Sequence, residues 1–155
     1  MRTCATKYIE LMERRGEELA KRWYKDAISH PKTPSFAALP KDRVIALAIN
    51  FYLNFSKMFT SENLGKDELK FFKHYAERTF KRGIPLDEAI CALALMRRHL
   101  WLFAEFQGVF MKGTDKHQEV ESLNKTIQMF GYVEYEIAKR YQELILAEME
   151  TKLGI

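Results

Sequence analysis

Arg97, Arg98 and His99 form the one charged band on a stretch, residues 89–104, that is otherwise apolar on every side. A helix without a polar face belongs inside a bundle, so the band needs a reason. Arg97 falls on a stripe with Ile90, Ala94 and Trp101, and a guanidinium placed there must find an acceptor. Three acceptors fit: an internal carboxylate such as Glu105 or an acid of the last helix, a neighbouring subunit, or an anionic small ligand. His99 is either a pH-sensing imidazole or a satisfied core histidine. Trp23 and Trp101 read first as core anchors, and Met12, Met58 and Met96 as gap fillers. Arg97, His99, Trp101, Trp23 and Tyr75 are the candidate ligand-binding residues.

No constellation for catalysis accompanies them. There is no HExxH, no CxxC and no pair of histidines four apart, and His30, His74, His99 and His117 are scattered. The chain has no glycine-rich phosphate loop and no GxSxG elbow. Asp87 and Glu88 sit in the first turn of an expected helix, where carboxylates favour the macrodipole. These absences lead to the expectation of a non-enzymatic protein with no metal site.

The elements that must position the band are helical. At 155 residues the chain fits one domain, residues 1–155, with 47% apolar and 30% charged residues and only 7 Gly and 4 Pro. A first helix is expected over residues 6–29, with Ile9, Met12, Leu19, Ala20, Trp23 and Ala27 near the helical period. It stops at His30-Pro31, and HPKTPSFAALP reads as an irregular loop. A second helix over 41–59 carries Val44, Leu47, Ala48, Phe51, Phe55 and Met58 on one side, and residues 60–65 connect it to a third over 66–82 burying Leu69, Phe72, Ala76 and either Thr79 or Phe80. Gly83 closes the third helix and Pro85 opens the fourth, over 85–107, before a turn around 108–114.

The remainder reads as one helix of about 36 residues, about 54 Å long, which exceeds what a domain this size needs. Val120, Leu123, Ile127, Phe130, Glu134, Ile137, Tyr141, Leu144 and Glu148 alternate spacings of three and four, which is a heptad seam broken at two acids. Part of this helix should project or pair with another chain, and Ile127, Phe130, Ile137, Tyr141 and Leu144 are the candidate dimer-interface residues.

Net charge is +4, unevenly placed: residues 115–152 hold eight acids against five Lys and Arg. Lys66, Lys70, Lys73 and Lys81 line one helix side, but Glu77 interrupts the row and no nucleic-acid motif accompanies it, so a solvated face is expected and no nucleic-acid partner. Cys4 and Cys91 lie far apart, which suits a reducing compartment and a buried structural thiol. Neither a signal peptide nor an apolar run of about 18 residues is present, so a cytoplasmic protein with no membrane partner is expected.

Three segments carry a family resemblance: EELAKRW ending at Trp23, RGIPLDEAICALALMRRHLW over 82–101, and the closing helix from Tyr132 to Tyr141. They resemble the N-terminal domain of RsbR-type stressosome co-antagonists, with similar domains preceding the output regions of PucR-type transcriptional regulators. The resemblance covers nearly the whole chain. It implies an all-α, globin-like bundle of five or six helices with a long C-terminal helix. It further implies a sensor that usually lacks haem, dimerises, signals through its last helix and has a stress-signalling or transcriptional regulator as partner. A small apolar or anionic molecule is the ligand it would admit. Globin-coupled oxygen sensors, which are related, carry a haem-ligating histidine four residues before a Gly-Ile-Pro or Gly-Leu-Pro turn. Thr79 occupies that place here, so no cofactor is expected. The alternative, a haem-binding gas sensor, would need His74 or His99 at an unusual position. Family members usually continue into an output domain, so this chain is either a sensor acting in trans or one piece of a longer design.

Overall fold

The computed structural model describes residues 4–61, 64–109 and 116–154, and among them it is all-helical with no strand. The order is α1 (Cys4–Arg14), α2 (Gly16–Ala27), a 3-10 turn (Pro34–Ala38), α3 (Lys41–Ser61), α4 (Lys66–Lys81), α5 (Leu86–Phe106) and α6 (Lys116–Leu153). The connection expected around 108–114 lies mostly outside the described residues, as do residues 62 and 63 of the expected 60–65 link; α3 itself continues to Ser61.

The first helix departs from expectation, because the apolar period runs unbroken through a break in the backbone. Arg15 leaves helical geometry at φ −119° and ψ 24°. Its N–H still donates to the Leu11 carbonyl and its carbonyl accepts from Leu19, so the chain changes direction without losing the ladder on either side. Tyr8, Leu11 and Met12 above the break and Leu19, Ala20 and Trp23 below it are all buried.

The α4–α5 junction follows the sequence. Gly83 takes φ 83°, a left-handed conformation that costs a glycine little. The Gly83 N–H donates to the Phe80 carbonyl and the Ile84 N–H to the Thr79 carbonyl, which satisfies the last carbonyls of α4. Pro85 is the extended residue that precedes α5, at φ −65° and ψ 156°, and Glu88, in the first turn, is buried. Its carboxylate accepts from the Ser35 N–H at 2.8 Å and the Ser35 hydroxyl at 2.7 Å. The acid expected to serve the helix dipole therefore also ties the 3-10 turn to the start of α5.

Aromatic side chains fill the core. Phe51 and Phe55 of α3 lie against Phe130 of α6 at 5.7 and 4.5 Å between ring centres, and Phe51 meets Phe72 and Tyr75 of α4 at 5.4 and 5.5 Å. Trp23 is fully buried edge-on against Phe36 of the 3-10 turn, with its indole N–H on the Ala92 carbonyl at 3.0 Å.

Two expectations need correction. α5 is not enclosed on all sides: Ala89, Ala92, Leu93, Met96, Leu100, Phe103 and Ala104 are buried, but Leu102 and Phe106 reach the surface. The second half of the helix is expected to be a buried rod, yet no described element encloses Leu102 and Phe106, and Phe106 stays exposed with the Arg22 guanidinium 5.0 Å from its ring centre. Cys91 is a free thiol that is half-buried rather than buried.

Candidate functional site

The charged band on α5 divides among three environments. His99 is half-buried and turns toward α2, where its Nε2 lies 2.7 Å from Asp26 Oδ2. That pair links α5 to the end of α2 and gives His99 a structural partner. Arg97 turns instead toward α6, where Glu134 is the acid in its field. Burial pushes the Glu134 carboxyl above the ordinary carboxylate range, and the Arg97 guanidinium pulls it partly back. Arg98 is exposed, and neither arginine makes a direct ion pair among the described residues.

Arg97, Arg98, Trp101 and Leu102 occupy successive turns of α5 and form one wall of a cleft of about 320 Å³. Leu123, Thr126 and Ile127 of α6 form the other wall. Thr126 closes its floor with a hydroxyl 2.7 Å from the Ser122 carbonyl and 3.2 Å from the Tyr8 hydroxyl. The indole N–H of Trp101 donates to Glu105 Oε1 at 3.2 Å, and its ring meets that of Tyr8 edge-on at 6.4 Å. Glu105, weighed as a partner for Arg97, is thus engaged by Trp101.

The remaining candidates lie apart from this cleft. Trp23 is a core anchor on the far side of α5. Tyr75 is buried beneath Phe51 and Phe71, and burial raises its phenol well above the ordinary tyrosine value. Of the five ligand-binding candidates, only Arg97 and Trp101 line a common cleft.

Thr79 is buried, and its hydroxyl donates back to the Tyr75 or Ala76 carbonyl of its own helix. It also accepts from the Tyr141 hydroxyl at 2.8 Å, and Tyr141 reaches the Ile84 carbonyl at 3.0 Å. The α4–α5 junction is therefore hydrogen-bonded to the long helix. Burial raises the Tyr141 phenol, with the Thr79 contact opposing the shift. His74, by contrast, is exposed and pairs with Glu77, which in turn accepts from Arg140 of α6 at 3.0 Å.

The dimer-interface candidates also separate. Phe130, Ile137 and Tyr141 are fully buried in the chain's own bundle, so they present nothing to a second copy. Leu144 is half-buried and Ile127 is 47% exposed. The expected seam straddled two faces that the structure resolves. At 100° per residue, Ser122, Thr126, Met129, Phe130, Val133, Ile137 and Tyr141 span an arc of about 120° that faces the bundle. Val120, Ile127, Tyr135, Ile145, Met149 and Leu153 form a second, exposed band about 80° wide.

Sequence reasoning missed Asp26 and Ser35 as partners, because each meets its counterpart across more than fifty residues of chain; for Arg97 it offered an acid of the last helix without selecting Glu134. The exposed band was legible in principle, since its members recur at spacings of four, seven, eight and ten, which hold one side of a 3.6-residue helix within about 80°. Compared with known proteins, the chain matches no family model, no curated protein and no solved structure.

Proposed function

We propose that this chain is a non-enzymatic regulatory domain that works as a homodimer and passes a ligand or partner signal along α6. The observation that carries the reading is the distribution of exposed apolar side chains. Among the described residues ten large hydrophobics are exposed, and eight of them lie on α6: Val120, Ile127, Tyr132, Tyr135, Ile145, Leu146, Met149 and Leu153. Exposed apolar surface gathered on one element marks an interaction face.

Length supports the same reading. α6 has 38 residues, and beyond Tyr141 its side chains are exposed apart from half-buried Leu144. Residues 142–153 therefore extend about 18 Å past the last fully buried position. Inner contacts fix α6 to the sensor bundle at Thr126, Phe130, Ile137 and Tyr141, while its outer band is free to meet another chain. A shift of the bundle is thereby felt at the far end. The resemblance to RsbR-type sensor domains points to a stress-signalling or transcriptional regulator as the downstream partner.

Light scattering at micromolar concentration tests the proposal. A dimer is expected, and Ile145→Glu with Met149→Glu should convert it to a folded monomer whose melting temperature no longer depends on protein concentration. Ile137→Glu should instead unfold the chain, because a carboxylate would be buried without a partner. A strict monomer that remains one when a candidate regulator is added refutes the reading.

A further inference from the structure

We propose that the α5–α6 cleft binds an amphipathic monoanion, a carboxylate carried on a short alkyl or aromatic body. Arg97 and Arg98 hold the carboxylate; Trp101, Leu102, Leu123 and Ile127 enclose the body. The binding claim stands on the cleft itself, and only its effect on α6 rests on the regulatory reading above.

Charge decides the head group. Two guanidinium groups from adjacent positions line the cleft and no carboxylate does. Neither guanidinium has a direct ion pair among the described residues, so an incoming carboxylate would displace no protein acid. A guanidinium matches a carboxylate through paired N–H donors, and such charge-assisted bonds are about twice as strong as neutral ones. A cation is repelled here. Glu134 interacts with Arg97 through its charge but makes no direct ion pair with it and does not line the cleft.

The walls decide the rest of the ligand. Leu102 and Ile127 are 42% and 47% exposed, so each has apolar surface still to bury. Trp101 is fixed by Tyr8 and Glu105 and offers a rigid wall rather than a mobile one. A volume of about 320 Å³ sits at the small end of ligand pockets, which suits a single ring or a chain of a few carbons. A second copy of the chain fits less well. Symmetric pairing centred on this cleft would bring four guanidinium groups together, and like charges oppose that.

The site also explains how a ligand could be felt. Its arginines belong to α5, while Leu123 and Ile127 belong to α6, so an occupied cleft joins the two helices. Ile127 is a member of the exposed band as well.

Calorimetric titration of the full chain with octanoate, 1-octanol and octylammonium tests the proposal. Octanoate should saturate at one per chain with Kd below about 1 mM. Octanol should bind about tenfold more weakly and octylammonium should give no heat of binding. Arg97→Gln with Arg98→Gln should weaken octanoate about tenfold and leave octanol unchanged, whereas Arg97→Lys with Arg98→Lys retains part of the preference. Should the glutamine pair unfold the chain, Leu102→Asp, at an exposed position, places a carboxylate in the cleft and should abolish octanoate binding. Equal binding of octanoate and octanol, no saturable octanoate binding up to about 10 mM, or indifference to these substitutions overturns the proposal. Light scattering on the same samples separates the two claims. A dimer that ignores octanoate refutes the site alone, and octanoate binding by a strict monomer refutes the dimer alone. Loss of the dimer in the glutamine pair without octanoate binding to the parent assigns the arginines to the interface and also overturns the proposal.

Discussion

Removing one oxygen atom, in Tyr141→Phe, should loosen the hold of the α4–α5 junction on the long helix. The Tyr141 side chain is 1% exposed, and its hydroxyl lies 2.8 Å from Thr79 Oγ1 and 3.0 Å from the Ile84 carbonyl. It has a single proton to donate. Phenylalanine keeps the ring and its edge-on contact with Phe80, at 5.6 Å, so the change isolates the polar link. Thr79 remains satisfied because its hydroxyl still donates to its own helix. Ile84, whose carbonyl sits in the turn before α5, loses this donor. A net hydrogen bond is worth about 1 kcal/mol, and an acceptor left buried raises the cost toward about 2 kcal/mol. For a domain of this size that corresponds to a fall in Tm of about 2–8 °C. Thermal unfolding followed by circular dichroism reads it directly. A double-mutant cycle with Thr79→Val should give a coupling of about 0.5–1.5 kcal/mol, because both substitutions remove the same contact. An unchanged or higher Tm in Tyr141→Phe, or strict additivity in the cycle, would show that the three groups do not form a working link.

Two further changes test the charged groups. Glu88→Ala should cost about 2–3 kcal/mol through loss of two charge-assisted bonds to Ser35, and amide exchange should accelerate across the 3-10 turn; protection unchanged at Ser35 contradicts the tether. Glu134→Gln should stabilise the chain at neutral pH and lose that advantage in acid. The sign follows from a folded-state carboxyl raised above its ordinary value of 4.5. The folded chain binds this proton more tightly than the unfolded chain, so stability falls as pH rises from that value through the raised one. A melting profile in which the variant's gain grows toward acid pH rejects the assignment.

Helix boundaries were legible wherever local chemistry sets them. Gly83 and Pro85 placed the α4–α5 junction because a left-handed cap and a missing N–H act on their immediate neighbours. The break at Arg15 was not legible, because an apolar period continues through it and Gly16 neither needs positive φ nor meets a neighbour that forbids a side chain. Arg97 showed the same limit on the functional side. Its anomaly could be read from the apolar residues around it, and an acid of the last helix was among the answers, but no local rule selects Glu134 from several acids on α6. Tyr141 was read as a seam residue on spacing alone. That spacing is equally consistent with a partner helix in another chain and with α4 in this one, where the Thr79 hydroxyl lies.

The two faces of α6 bear on why so long a helix persists. Its inner arc is full, so packing within the chain accounts for residues up to Tyr141. Past that point an isolated stretch of twelve or so residues is a marginal helix in water. Its sequence keeps apolar residues at 145, 146, 149 and 153, which burial in the chain does not reward, although Lys152 and Glu148 add a modest i,i+4 pair. The outer band leaves six large apolar side chains exposed along one side of α6, the kind of surface that marks an interaction face. Covering it against a second α6 would supply what the projecting turns lack, and binding and helix order would then rise together. The far end of α6 should accordingly exchange its amides rapidly in dilute solution and slowly at concentrations where the dimer forms. Exchange that is fast at every concentration would separate the outer band from pairing.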